Sequence, residues 1–167
     1  MQLIVAVDKF WGIGKGNDLL FSLKEDMKFF RQTTLGKTVV MGYNTLMSFP
    51  NSKPLPKRKN IVLTSKELPA QENLVVVHSL QELSLELQKE NPQDVFIIGG
   101  AKFYKTMLDY CQTAYITKVN ADGQAQVFFE DLDKLENWQI VNESQEIVDG
   151  DYTIKFLTYK NNKVKEF

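Results

Sequence analysis

Short apolar runs rich in β-branched residues alternate with helix-like segments along most of the chain. This pattern predicts strands at residues 3–7, 38–41, 60–63, 74–77, 95–98 and 114–119, and helices at residues 23–33, 80–89 and 102–110. Strands that alternate with crossover helices are typical of a mostly parallel sheet. We therefore expect an α/β fold.

The C-terminal part follows a different pattern. Segments 138–146 and 151–159 are strand-like and flank the dipeptide Asp149-Gly150, which is a hairpin signal. They predict an antiparallel hairpin added to the sheet. The length of 167 residues, with no repeat or linker, predicts a single domain over residues 1–167.

Composition excludes several classes of protein. Hydrophobic residues make up 43% of the chain, which excludes an intrinsically disordered protein. The 20 basic and 21 acidic residues give a net charge of −1, which excludes a basic nucleic-acid-binding domain and argues against an anionic membrane partner. The chain shows no membrane-spanning run and no signal peptide at its N-terminus, so we expect a cytoplasmic protein.

The chain has one cysteine, Cys111, and one histidine, His78. Two such residues cannot form a Cys/His zinc cluster, so no metal is expected. Cys111 follows an apolar stretch, which favours a small buried residue over a nucleophile. His78 precedes Ser79, a predicted helix cap, which favours a structural turn residue.

Glycines stand at two junctions between a strand and a helix. Gly99 and Gly100 follow the strand at 95–98, and Gly42 follows the strand at 38–41. Helix N-termini present free N–H groups, so both junctions suit a phosphate, although tight packing is the alternative explanation. Neither junction has the full dinucleotide fingerprint or a P-loop.

Asp26 is a candidate functional acid. Residues 22–25 have the pattern of a capping box, in which Ser22 is the N-cap and Glu25 reaches back, so capping does not require Asp26. The predicted apolar stripe of the helix is Leu23, Met27 and Phe30. Asp26 lies beside this stripe, so it is either a first-turn acid favoured by the helix dipole or a buried acid that binds a ligand with paired N–H donors.

Arginine is rare, with only Arg31 and Arg58 in the chain. Arg58 lies in a loop just before a predicted strand. Its planar guanidinium can bind a carboxylate through two parallel hydrogen bonds, which lysine cannot do. The alternative interpretation is an ordinary solvated loop charge.

Five segments together resemble dihydrofolate reductases, and the match runs nearly end to end. They are WGIGKGN at 11–17, EDMKFFR at 25–31, GKTVVMG at 36–42, PLPKR at 54–58 and IIGGA at 97–101. The resemblance implies a mixed eight-stranded sheet, seven strands parallel and one antiparallel, flanked by about four helices. It also implies NADPH-dependent reduction of 7,8-dihydrofolate to tetrahydrofolate, by hydride transfer from nicotinamide C4 to pterin C6 with protonation at N5. A monomer that binds antifolates is expected.

The resemblance also implies roles for individual residues. Asp26 and Thr117 are the implied catalytic residues. The implied substrate-binding residues are Ile4, Val5, Leu19, Asp26, Phe30, Phe49, Leu55, Arg58, Ile98 and Thr117. The implied cofactor-binding residues are Ala6, Ile13, Gly42, Tyr43, Asn44, Thr45, Leu63, Thr64, Ser65, Ile98, Gly99, Gly100, Ala101, Lys102, Phe103 and Tyr104.

The sequence departs from the family pattern at several positions. Tyr43 replaces the arginine or lysine that usually helps hold the NADPH 2′-phosphate, although Lys102 and Lys66 remain available. Gln126 replaces an acid that commonly latches the substrate loop. Further departures are Leu20-Phe21 for Pro-Trp, Lys24 for proline and Glu130 for proline. They predict a weaker NADPH preference and altered loop closure.

Two alternative functions remain open from the sequence. Tyr43 and Gln126 leave room for a pterin- or nucleotide-binding module of the same fold with little turnover. The other alternative is the related pyrimidine reductase of riboflavin synthesis, which predicts a phosphate-binding substrate end in place of Arg58. Retention of Asp26 with Thr117 argues against a pure nucleotide-binding module.

Overall fold

A mixed sheet organises the chain in the computed structural model, which describes residues 1–16 and 18–167. Its strands are β1 (Gln2–Val7), β3 (Thr38–Gly42), β4 (Lys59–Leu63), β5 (Leu74–Val77), β6 (Val95–Ile97), β7 (Thr113–Val119), β9 (Trp138–Glu143), β10 (Ile147–Asp149) and β11 (Tyr152–Asn161). A second small sheet pairs β2 (Gly12–Gly14) with β8 (Val127–Phe128). The α-helices are α1 (Lys24–Thr34), α2 (Tyr43–Ser48), α3 (Leu80–Leu87) and α4 (Ala101–Met107).

The strand order of the large sheet is β10-β11-β7-β1-β6-β3-β4-β5, and β9 also pairs with β11. Strands β9 and β10 lie end to end along the same edge of β11, so the nine strands fill eight positions. All contacts from β7 to β5 are parallel, whereas β11 runs antiparallel to β7, β9 and β10. Seven positions therefore run one way and one runs the other way. The predicted parallel sheet with an antiparallel C-terminal addition is confirmed.

The central strands are buried on both faces, which explains their continuous apolar runs. Leu3, Val40 and Ile97 belong to one apolar cluster, and their neighbours Ile4 and Val39 belong to another. Because successive side chains of a strand point to opposite faces, these two clusters form the two layers of the core.

The start of α1 differs from the predicted capping box. The helix begins at Lys24, its N-cap is Leu23, and no side chain of that residue caps it. A carboxylate distant in sequence, Asp149, accepts hydrogen bonds from the first backbone N–H groups of the helix instead. The prediction that Ser22 caps this helix is therefore wrong, because a tertiary contact takes the place of the local one.

Met27 was expected in the buried stripe of α1, and this prediction is wrong because the side chain is 63% exposed. The helix turns residues 23, 26, 30 and 34 towards the sheet. Leu23 and Thr34 are buried, and Phe30 is half-buried. Asp26 contacts Thr117 of the sheet on this face, whereas Met27 lies outside it.

The single cysteine and the single histidine both make contacts within the fold. Cys111 is buried, its thiol donates to the Met107 carbonyl at 3.4 Å, and burial raises the pKa of the thiol to about 12. His78 Nδ1 lies 2.7 Å from the Thr64 carbonyl, and Ser79 caps α3. Within residues 1–16 and 18–167, no helix is long and apolar enough to cross a membrane, and no group of three or more His, Cys, Asp or Glu side chains could hold a metal ion.

Candidate active site

The residues expected to bind ligands lie mainly at one edge of the sheet. Strands β1, β6, β3 and β4 run parallel, so their carboxyl ends meet there. Gly42 ends β3, Thr64 follows β4, and Gly99 and Gly100 follow β6. In open α/β sheets, ligands bind outside the carboxyl ends of the strands. The topology therefore places the glycine junctions in a suitable position.

Asp26 and Thr117 form a hydrogen-bonded pair between α1 and β7. Thr117 is buried, and its Oγ1 donates to Asp26 Oδ1 at 2.6 Å. Burial raises the pKa of the Asp26 carboxyl, the hydrogen bond from Thr117 lowers it, and the negative charge of Asp149 raises it. A carboxyl in such a place can bind a ligand through paired donors and change its protonation state in the process.

Apolar side chains close the space next to this pair. Ile4 and Ile98 belong to one buried cluster, and Phe30, Phe49 and Leu55 pack against it. Thus the structure brings together five of the predicted apolar substrate residues. Val5 is half-buried on β1, and its side chain packs against the other core cluster, on the opposite face from Ile4. Leu19 differs, since it is 83% exposed in the loop before α1.

Arg58 lies just before β4 and is buried, with 8% of its surface exposed. Its Nε donates to the Pro56 carbonyl at 3.0 Å, and one terminal nitrogen donates to Thr34 Oγ1 at 3.1 Å. Burial and then the nearby Arg31 lower the pKa of the guanidinium. These contacts hold the guanidinium in one orientation, which distinguishes it from a solvated loop charge. Thr34 is not among the residues predicted from the sequence, although a polar residue on the buried face of α1 is a signal for such a role.

The two glycine junctions are joined to each other. Gly42 N donates to the Gly99 carbonyl at 2.9 Å. Gly99 has φ +130°, and a Cβ built there would lie 3.2 Å from Thr45 Oγ1, while one at Gly100 would lie 3.5 Å from it. The Gly99–Gly100 peptide is cis. Side chains at these positions would fill the space between the two junctions, so glycine keeps the backbone accessible to a ligand.

Tyr43 and the segment after β4 lie close together. The Lys66 Nζ sits 4.6 Å from the centre of the Tyr43 ring, a cation–π distance. Lys66 N donates to Thr64 Oγ1 at 3.1 Å, which orders the turn containing Ser65. The sequence placed Lys66 only near this region, and the structure puts its ammonium group over Tyr43.

The remaining predicted cofactor residues occupy β1, β2, β4, α2 and α4. Tyr104 is buried, and its hydroxyl donates to the Ile4 carbonyl at 2.7 Å. Burial and then the charge of Asp26 raise the pKa of this phenol. Phe103 is buried in the core. Asn44 and Lys102 are exposed, whereas Ala6, Ile13, Leu63 and Ala101 are half-buried.

The loop between β1 and α1 is tied to the segment before β8. Gly16 N donates to Gln126 Oε1 at 3.0 Å, and Gln126 N donates to the Gly14 carbonyl at 2.9 Å. A Cβ at Gly123 would lie 2.8 Å from Leu20 Cδ1 and 3.2 Å from its Cβ, so a larger residue there would displace Leu20. An amide therefore makes the contact expected of an acid. Asn17, part of the first resembling segment, lies outside the described residues.

Comparison with known proteins places this arrangement in context. A family model described as "Dihydrofolate reductase" matches residues 1–161. A dihydrofolate reductase of Bacillus subtilis (strain 168) is 34% identical over 162 residues, which cover 96% of this chain and 94% of the relative. One from Buchnera aphidicola subsp. Acyrthosiphon pisum is 37% identical over 139 residues, covering 83% and 84%.

A solved structure is similar as well. The dihydrofolate reductase from Enterococcus faecalis, complexed with NADP(H) and RAB-propyl, superposes with a TM-score of 0.84 at 30% identity. The match covers 96% of this chain and 95% of that one. The fold resemblance and the sequence resemblance therefore point to the same family.

Proposed function

The chain belongs to the dihydrofolate reductase family, and from this membership we propose how its own residues carry out the reaction. The enzyme reduces 7,8-dihydrofolate to 5,6,7,8-tetrahydrofolate with NADPH. The observation that carries the residue assignment is the hydrogen-bonded pair of the half-buried Asp26 and the buried Thr117. A buried acid needs partners that donate hydrogen bonds, and the pterin 2-amino group and ring nitrogen are such donors.

Asp26 orients the pterin in this proposal. Its carboxylate accepts hydrogen bonds from the pterin amino group and ring N–H, and Thr117 holds the carboxylate in position and contacts the amino group directly or through a water. The negative charge, placed beside apolar walls, favours the N5-protonated form of the substrate, which is the form that accepts hydride at C6. The protein thus contributes positioning and electrostatics.

The residues present fit NADPH. A Cβ at Gly99 or Gly100 would approach Thr45, so the bare backbone of both junctions suits a closely bound pyrophosphate. When bound, NADPH supplies the hydride from nicotinamide C4. We assign Gly42, Thr45 and the Gly99–Lys102 junction to the pyrophosphate, and Thr64 and Ser65 to the adenosine ribose.

The far end of the substrate carries carboxylates. The fixed guanidinium of Arg58 suits the α-carboxylate of the glutamate tail, because Thr34 and Pro56 already orient it for a bidentate contact. The apolar residues Phe30, Phe49 and Leu55 line the path between the pterin and this tail. We assign Leu19 to the same path, and its side chain is exposed in the loop before α1. The same pocket is expected to bind antifolates.

The alternatives are less well supported. A pyrimidine reductase would need a phosphate-binding substrate end, whereas Arg58 is built as a carboxylate fork. A pure binding module would not need a buried acid. Both relatives named above are dihydrofolate reductases by name. The cytoplasmic location and the monomeric state expected from the sequence stay predictions.

An absorbance assay at 340 nm tests the assignment. NADPH consumption should require dihydrofolate, should be slower with NADH, and should be nearly abolished in Asp26→Asn. Failure of the wild-type enzyme to consume NADPH would favour the binding module. Turnover of a ribosylated aminopyrimidine in place of dihydrofolate would favour the pyrimidine reductase.

A further inference from the structure

The N-terminus of α1 is capped by a carboxylate that lies 123 to 125 residues away in the chain. Asp149 Oδ1 accepts from Lys24 N at 3.0 Å, and its Oδ2 accepts from Glu25 N at 2.8 Å and from Asp26 N at 3.3 Å. Asp149 is only 5% exposed. One buried side chain therefore satisfies three N–H groups of the first turn, including that of Asp26.

Asp26 is consequently held at two points. Asp149 binds its backbone N–H, and Thr117 binds its carboxylate at 2.6 Å. Both partners are fixed to the same strand: β10 pairs with β11 at Asp149 and Tyr152, and β7 pairs with β11 at Thr117 and Phe156. The C-terminal hairpin and the central sheet thus set the position of the acid together.

We propose that Asp149 is a positioning residue for Asp26, which fixes the first turn of α1 against the sheet and places a second negative charge beside the pterin-site acid. This inference rests on the role of Asp26 in the proposed function. Asp149 touches neither substrate nor cofactor in this assignment, and it acts through Asp26.

The charge of Asp149 has a definite effect on Asp26. Among residues 1–16 and 18–167, the groups that act on Asp26 are Asp149 from β10, the Thr117 hydroxyl from β7 and, reciprocally, the Tyr104 phenol from α4, and Asp149 is the carboxylate among them. The negative charge of Asp149 disfavours ionisation of the Asp26 carboxyl. Asp149 also occupies the helix N–H groups that would otherwise stabilise a carboxylate in the first turn. Removing the charge should therefore lower the pKa of Asp26.

The test is a titration of the Asp26 carboxyl carbon by NMR in the unliganded full-length protein, with the resonance assigned through Asp26→Asn. Asp149→Asn keeps the shape of the side chain, removes its charge and replaces one of its two acceptor oxygens by an NH₂ group. We expect the proton affinity of Asp26 to fall about threefold to tenfold. Asp151→Asn is the matched control, because this exposed residue lies in the same turn, and it should leave the titration unchanged.

Three further measurements separate the outcomes. An unchanged Asp26 titration in Asp149→Asn, with a lower Tm, would make Asp149 a helix cap only and would overturn the proposal. If this variant does not fold, the wild-type protein still gives an answer, because the Asp149 carboxyl resonance should show an inflection at the pKa of Asp26, and its absence would overturn the proposal. Finally, the pH profile of kcat/KM should move to lower pH with KM for NADPH unchanged. Since the titration needs no turnover, an inactive wild-type enzyme would count against the proposed function alone.

Discussion

Thr117 donates a 2.6 Å hydrogen bond to Asp26 and thereby joins β7 to the first turn of α1. Thr117 is buried and Asp26 half-buried, and this partial burial raises the pKa of the acid while the hydrogen bond lowers it. The pair is therefore a site whose charge is sensitive to small changes in its surroundings.

Asp26→Asn should separate stability from activity. The folded pKa of Asp26 lies above its unfolded value, so proton binding stabilises the folded state below the unfolded pKa, and this contribution is lost as pH rises through the folded pKa. The Asn variant should thus have a higher Tm than wild type at neutral pH, and the difference should shrink in acid. Turnover should fall by about 10²- to 10⁴-fold, the usual range for an acid–base group. Thermal melts and activity assays on the same samples check both expectations. If the Tm of the Asn variant minus that of wild type were smaller at neutral pH than in acid, the argument from burial would be contradicted.

Thr117→Val should raise the pKa of Asp26, whereas removing the charge of Asp149 should lower it. Valine keeps the shape but cannot donate, so the charged form of the acid loses a partner and its pKa rises further. A hydrogen bond to a charged group contributes about 1.5–3 kcal/mol, so we expect turnover at neutral pH to fall roughly tenfold or more. Thr113→Val on the same strand, distant from the acid in register, is the control and should be silent.

Arg58→Lys should weaken ligands with a glutamate tail selectively. Lysine keeps the charge but loses the fork that Thr34 and Pro56 orient, at a loss of roughly 1–3 kcal/mol. Calorimetry with methotrexate-like ligands and with a tailless diaminopyrimidine measures the difference. Equal losses for both ligands would mean that Arg58 serves the fold rather than the tail. A similar selective loss in Arg31→Lys would show that both arginines bind it.

Gln126→Ala should loosen the loop that precedes α1. It removes the acceptor for Gly16 N, a neutral hydrogen bond that contributes about 0.5–1.5 kcal/mol. Amide exchange at Gly16 should speed up by a few fold, and KM for dihydrofolate should rise. Gln126→Glu supplies a charged acceptor and should slow this exchange. If both variants behave alike, the side chain of Gln126 does not control the loop.

The sequence predicted what depends on local pattern and missed what depends on distant partners. Strands β1, β3, β4 and β5 and the turn at Gly150 follow directly from apolar runs and turn chemistry. The cap of α1 could not be predicted in this way, because Asp149 lies near the other end of the chain and the local pattern favoured Ser22. Leu19 and Lys66 are further examples. The sequence indicates the segment in which each residue lies, but the exposure of Leu19 and the contact of Lys66 with Tyr43 depend on how the loops pack.

Tyr43 provides the sharpest test of the cofactor assignment. The NADPH 2′-phosphate carries about two negative charges near neutral pH, and each charge-assisted hydrogen bond to it contributes roughly 1.5–3 kcal/mol. Tyr43 offers a hydroxyl without a charge, while the ammonium of Lys66 lies 4.6 Å from its ring, and we propose that it supplies the countercharge.

Lys66→Ala should therefore weaken NADPH by about tenfold or more and leave NADH nearly unchanged. Tyr43→Arg should tighten NADPH selectively and make its binding more salt-dependent, since it adds a partly exposed charge. Lys105→Ala, in the last turn of α4, removes a cation remote from Tyr43 in sequence and serves as the control for general electrostatic attraction. Fluorescence titrations with both cofactors at low and high salt check these results. Should Lys66→Ala weaken NADPH and NADH equally, the 2′-phosphate would not lie beside the Tyr43–Lys66 pair.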